Sequence, residues 1–136
     1  MRTIEIIPVP VTSQERSKEF YQKLGFEVVL EQPMGNGQTW LQMGYKGQSA
    51  CLSIISWWPY KEVAMTPGTL KGIIIETDDI ERDVKELQKK GIAMVMIDLK
   101  GISEGKIADT PWGRFIHFSD PDGNGLSLHQ HPPTAS

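Results

Sequence analysis

An internal repeat limits the possible folds more than any other feature of the chain. Between Glu5 and Val29 an apolar stretch, a helix signal and a glycine stop follow one another, and the series returns 66 residues later. That offset places Glu15 on Glu81, Arg16 on Arg82, Gln22 on Gln88, Lys23 on Lys89, Gly25 on Gly91 and Val29 on Val95. Strand, cap, helix and stop signals coincide along with the identities, so the recurrence reads as a duplicated βαβ-type unit rather than as residues common to any solvated helix. A unit this short cannot bury its own sheet, and two copies are needed to make a core.

Ile4 to Val11 is rich in branched apolar residues and reads as a strand whose Pro8 and Pro10 require an unpaired edge. Thr12 is the expected cap of the following helix, with Glu15 reaching back to it. Ser17, Phe20, Tyr21 and Leu24 line one helical face, and Gly25 is the left-handed stop. Strands follow over Phe26 to Leu30, Thr39 to Tyr45 and Ala50 to Ser56, the first two joined through Gly35-Asn36-Gly37. In the second copy Lys71 to Thr77 is a strand, and Asp78 or Asp79 caps a helix that turns Ile80, Val84 and Leu87 inward and ends at Gly91. Ile92 to Leu99 is the next strand, followed by a loop holding Gly101, Gly105 and Pro111. A hairpin of Gly113 to Ser119 and Gly125 to His131 then closes about Asp120-Pro121-Asp122-Gly123-Asn124, where Pro121 presets φ and Gly123 or Asn124 takes a positive φ. The expected fold class is α+β: two βαβββ modules, residues 1–58 and 70–136, joined by a linker over 59–69 within a single domain covering 1–136.

A chain of 136 residues that is 39% apolar and 23% charged has the composition of a soluble globular protein. No apolar run reaches the ~20 residues that span a bilayer, and Met1 to Pro10 lacks the apolar core of a signal peptide, so a cytoplasmic location and no membrane partner are expected. The net charge of −3, with both signs interspersed, offers no basic stripe for nucleic acid. The lone Cys51 lies in an apolar stretch and reads as packing.

The stretch Thr-x-x-Glu-Arg-Ser-x-x-Phe-Tyr-x-x-Leu-Gly-Phe over Thr12 to Phe26 and the turn Phe-x-Asp-Pro-Asp-Gly-Asn over Phe118 to Asn124, set on two βαβββ modules, resemble the vicinal oxygen chelate superfamily. Glyoxalase I, bleomycin-resistance proteins and extradiol dioxygenases belong to that group. The resemblance implies a cup-shaped mixed sheet with helices on its outer face, a ligand site in the cup, and a homodimer. It does not fix the reaction, because such cups host isomerases, dioxygenases, thiol transferases and drug binders.

Metal-using members place a His or Glu on the inner face of the first and fourth strands of each module. The resemblance carries those positions to Ile6, Ser53, Gly72 and Ser127. Ile and Gly have no side-chain donor, and a neutral serine hydroxyl is a poor ligand for Zn²⁺, Ni²⁺ or Fe²⁺. No metal and no cofactor is therefore expected.

Alternation along the last hairpin puts Ile116, Phe118, Leu126 and Leu128 on the helix side and Phe115, His117, Ser127, His129 and His131 on the other. His129 and His131 with His117 form an alternative, displaced metal site, and His117 is the candidate acid or base, with Ser53 or Ser127 as a polar partner. Trp40, Trp57, Trp58 and Trp112 are candidate stacking surfaces for a flat ligand. Arg114 has the opposite parity and reads as a surface residue. The leading expectation is a protein that binds a small planar or amphipathic organic molecule in an aromatic-lined cavity. The alternatives are a lyase, isomerase or dioxygenase using the histidines, and an interaction module.

Overall fold

The computed structural model describes residues 1–57, 65–98 and 101–133, with the backbone alone for 96–98 and 101–104. Trp58 and most of the expected linker lie outside the described residues. The chain divides into two compact units, Met1–Leu70 with Asp120–Asn124, and Lys71–Ser119 with Gly125–Ser136.

The first unit contains β1 (Ile6–Pro10), α1 (Gln14–Lys23), β2 (Glu27–Gly35), β3 (Gln38–Gly44) and β4 (Cys51–Ile55). Its sheet has the order β1-β4-β3-β2, with β1 parallel to β4 and the other pairs antiparallel. The second unit contains β5 (Ile73–Glu76), α2 (Ile80–Lys89), β6 (Val95–Asp98), β7 (Gly101–Glu104), β8 (Ala108–Thr110), β9 (Gly113–Ser119) and β10 (Gly125–Gln130). Its order is β5-β10-β9-β6-β7, with β8 on β9 and β5 parallel to β10. Without β7 and β8, the two orders are the same, and the repeat read from the sequence is a repeat of topology. The protein is α+β.

The helices repeat most closely. They span 14–23 and 80–89, are capped by Ser13 and Asp79, and end before Gly25 at φ 94° and Gly91 at φ 87°. Their buried faces are Ser17, Phe20 and Tyr21 in α1 and Ile80, Val84 and Leu87 in α2. Two expectations need correction. The α1 cap is Ser13, whose Oγ accepts from Arg16 N at 3.2 Å, and not Thr12. Thr12 is engaged elsewhere: its hydroxyl and its backbone N–H both donate to Asp122 Oδ1, at 2.6 and 3.2 Å. Moving the cap by one residue also removes Glu15 from the reciprocal capping position. The second correction is the loop expected after residue 99, which contains β7 and β8. These strands are four and three residues long, and pairing with β6 and β9 holds them where local pattern does not.

α1 packs on β4 and α2 on β10. The faces beneath them carry the core: Val9, Leu41, Met43, Leu52 and Ile54 in the first unit, and Ile116, Phe118, Leu126 and Leu128 in the second, all 5% exposed or less. Gln130 continues the parity of Leu126 and Leu128, and its Oε1 accepts from Ile80 N at 2.9 Å, which fixes that face as the one under α2.

The turn Asp120–Asn124 groups with the first unit, and its polar atoms explain why. Asp120 Oδ1 accepts from the backbone N–H groups of Asp122 and Asn124, and Oδ2 from Tyr21 OH and Asn124 Nδ2, all at 2.8 to 2.9 Å. Asn124 Nδ2 donates to Pro10 O, and its Oδ1 accepts from Gly68 N and Leu70 N. Gly123 takes the positive φ of the turn, at 91°. Gly68 is required beside it, since a Cβ there would stand 2.3 Å from Asp122 O on a backbone already at φ 85°.

Candidate functional site

The faces turned away from the helices carry the side chains with chemistry. In the first unit, register places Ile6 beside Cys51, Pro8 beside Ser53, and Gln42 opposite Ser53. Trp40 shares this face, two residues from Gln42, and its Nε1 donates to Gln42 Oε1 at 3.2 Å. Ser53 is 1% exposed, and its Oγ has no hydrogen-bond partner among the described residues.

The β3–β4 ladder runs only through Met43↔Leu52 and Gln42↔Ser53, and beyond it Gln14 reaches between the strands. Its Nε2 donates to Thr39 O and to Ile54 O, both at 2.8 Å. Trp57 Nε1 donates to the same Thr39 carbonyl at 3.3 Å, which orients the indole. Beside it lies a pocket of about 90 Å³ between Pro10, Ile55, Trp57, Met65 and Pro67. Drug-sized ligands occupy sites of roughly 300–1,000 Å³, so this pocket takes a substituent and not a whole molecule.

In the second unit, β9 and β10 place His117 opposite Ser127 and Phe115 opposite His129. His117 Nδ1 and Ser127 Oγ are 2.5 Å apart. Burial lowers the His117 pKa below its ordinary 6.5, so its ring is neutral at neutral pH. The Phe115 and His129 rings are stacked with centroids 4.3 Å apart. His129 and His131 meet at 4.5 Å, and His131 Nε2 lies 3.2 Å from Glu76 Oε1. Glu76 is a carboxylate the sequence reading did not attach to the histidines. It pairs with His129 across the parallel β5–β10 ladder, a neighbour that short-range pattern does not reveal.

The first unit thus brings together Trp40, Ser53 and the end of β4 that leads to Trp57, while the second gathers Phe115, His117, Ser127 and His129. Trp112 is 65% exposed in the turn before β9, and Trp58 is outside the described residues. Arg114 pairs with Asp109 at 2.8 Å and Glu81 at 3.1 Å, as its outward parity required. Cys51 is buried. Gln14 and Gln42 are additions that the sequence did not single out, although Gln42 follows from Trp40 by strand parity.

Around the four positions that the resemblance marks for metal ligands, Pro8–Ser53 and Ile74–Ser127 are equivalent register pairs, with Ile6 and Gly72 two residues further out in each unit. Ser127 Oγ is committed to His117, and neither serine supplies an anionic oxygen. This donor set does not fit a divalent ion. Among the described residues no group of three or more His, Cys, Asp and Glu side chains is placed to hold one, so His117, His129 and His131 do not converge on a displaced site.

Two copies of one strand-helix-strand unit, each with first and last strands parallel and a helix on one face, define a paired-module α+β protein. A sequence model of the Glyoxalase/Bleomycin resistance protein/Dioxygenase superfamily matches residues 3–128, and the chain belongs to that superfamily. It is similar to TnmS3, an antibiotic binding protein from Streptomyces sp. CB03234, at 36% identity and TM-score 0.79 over 97% of this chain and 98% of that one. It is also similar to a glyoxalase/bleomycin resistance protein from the same Streptomyces strain, at 37% identity and TM-score 0.73 over 94% and 100% of the two chains. The uncharacterized protein YetH of Bacillus subtilis (strain 168) is 26% identical over 131 residues, 96% of this chain and 99% of YetH.

Proposed function

We propose that the protein binds a small planar or amphipathic organic molecule without a metal, as an antibiotic-binding or sequestering member of its superfamily. The observation that carries this reading is the composition of the two sheet faces opposite the helices. They present aromatic rings and polar groups, with the Glu76 carboxylate turned to His131 and with Ile6, Ser53, Gly72 and Ser127 at the positions the resemblance marks for metal ligands, so affinity comes from apolar burial and stacking. The similarity to TnmS3, itself an antibiotic binding protein, supports the same reading. In it, the aromatic-lined site draws on Trp40, Trp57, Trp58, Trp112 and Phe115, with Ser53, His117, Ser127 and His129 as polar contacts.

The reading extends to a cytoplasmic homodimer whose single domain comprises modules 1–58 and 70–136 and the linker 59–69. Support for self-association comes from β2, an edge strand that exposes Val28, Val29, Leu30 and Met34. A second reading, acid–base catalysis at His117 by a lyase, isomerase or dioxygenase, draws on the 2.5 Å contact with Ser127.

Titration with planar antibiotics, following tryptophan fluorescence and the melting temperature together, tests the binding reading. Quenching with a raised Tm, weakened by Trp40→Leu or Trp57→Leu and with the ligand recovered unchanged, is the expected result. A chemically altered ligand favours the catalytic reading, and no response from any ligand removes the binding one.

A further inference from the structure

Phe115, His117, Ser127 and His129 form a two-by-two tile on the face of the second sheet opposite α2. His117 faces Ser127 in one row and Phe115 faces His129 in the next. The rows are about 7 Å apart, the rise of two strand residues.

The lower row is a prebuilt aromatic platform. Phe115 and His129 stack within 14° of parallel. His129 Nε2 lies 3.1 Å from Trp112 O. A carbonyl only accepts, so Nε2 donates and carries the proton. Gly113 makes space for this ring, because a Cβ there would stand 2.3 Å from Nε2. The pair is therefore fixed by a stack, a hydrogen bond and a glycine, and it requires no reordering when a ring packs against it.

The upper row sets a hydrogen-bond polarity. Ser127 is 8% exposed, and His117 Nδ1 is its side-chain partner among the described residues. A buried O–H needs an acceptor, and the imidazole nitrogen is the one in reach. Ser127 Oγ thus donates to Nδ1, and the neutral ring carries its own proton on Nε2. No described residue accepts from that Nε2–H. A ligand covering it must supply an acceptor or leave a donor buried and unpaired.

From this we infer that the tile is the orienting element of the ligand site and selects flat rings bearing an acceptor oxygen, packed against the Phe115–His129 pair with that oxygen receiving the His117 Nε2–H. The inference rests on the binding reading above and adds the chemical class of the ligand.

The test compares 9-fluorenone with fluorene, which has the same ring system without the oxygen, on the full chain. One neutral hydrogen bond predicts about five- to tenfold tighter binding of the ketone. His117→Phe should abolish that preference, whatever it does to the affinity for either probe, and His117→Gln, which retains an N–H donor, should recover part of it. Phe115→Leu should weaken both probes. ¹⁵N NMR of the unmodified protein gives a readout that needs no variant: the inference requires the His117 proton on Nε2, and a proton on Nδ1 overturns it. Equal binding of the two probes, unchanged by His117→Phe, also overturns the tile but leaves the binding reading standing. Failure of both probes to bind overturns the tile as the selector of flat rings, while the binding reading stands or falls on the antibiotic titration above.

Discussion

Tyr21 and His117 show how burial sets the behaviour of single groups. Tyr21 is fully buried, and desolvation together with the neighbouring Asp120 pushes its phenol far above the ordinary range, so it stays a neutral donor to the carboxylate at 2.9 Å. Tyr21→Phe leaves that carboxylate one donor short and should lower unfolding stability by about 1–3 kcal/mol in urea melts. A change under 0.5 kcal/mol would mean the turn is not held through this bond. His117 has the opposite consequence with pH. Its pKa is lowered by burial, so as pH falls through the ordinary value of 6.5 the unfolded chain takes up a proton before the folded one does. The His117 contribution to stability is intact above that value and declines below it, down to the folded pKa. An NMR titration should place its midpoint below 6.5, and a midpoint at or above it would contradict the buried neutral ring.

Among the elements, the caps separate two neighbouring residues that sequence alone confused. Ser13→Ala should cost about 0.5–2 kcal/mol, as should Asp79→Ala at the equivalent position. Thr12→Ala should destabilise by a different route, the loss of its bond to Asp122, and Thr12→Ser should restore it. Thermal melts of these four variants check the assignment, and full stability of Ser13→Ala would return the cap to Thr12. Helices, stops and the terminal hairpin were legible because their signals are local: a polar cap, a 3.6-residue apolar stripe, a glycine, a two-residue alternation. β7 and β8 were not legible, since they are too short to show alternation and depend on partners in the sheet. Parity alone assigned Phe115, His117, Ser127 and His129 to one face. The Ser127–His117 contact, the Phe115–His129 stack and the Glu76–His131 pair needed the cross-strand register.

For the molecule as a whole, the repeat explains what the two units share. Topology, caps and glycine stops recur in both units, and the turn Asp120–Asn124 is occupied in holding the first unit together. The positions that the family resemblance marks for metal ligands hold Ile6, Ser53, Gly72 and Ser127, and the aromatic and polar residues around them are the basis for the proposed binding function. The repeat was readable from sequence because it rests on fixed spacing. The 90 Å³ pocket beside Trp57 was not, because its walls come from segments far apart in the chain, Pro10, Ile55, Trp57, Met65 and Pro67.

Native mass spectrometry of the EDTA-treated protein with planar aromatic antibiotics tests the central claim most directly. The account predicts a stoichiometric complex with the unaltered ligand whose abundance does not change when Zn²⁺, Ni²⁺ or Fe²⁺ is restored. A complex that forms only after one of those ions is added would contradict it.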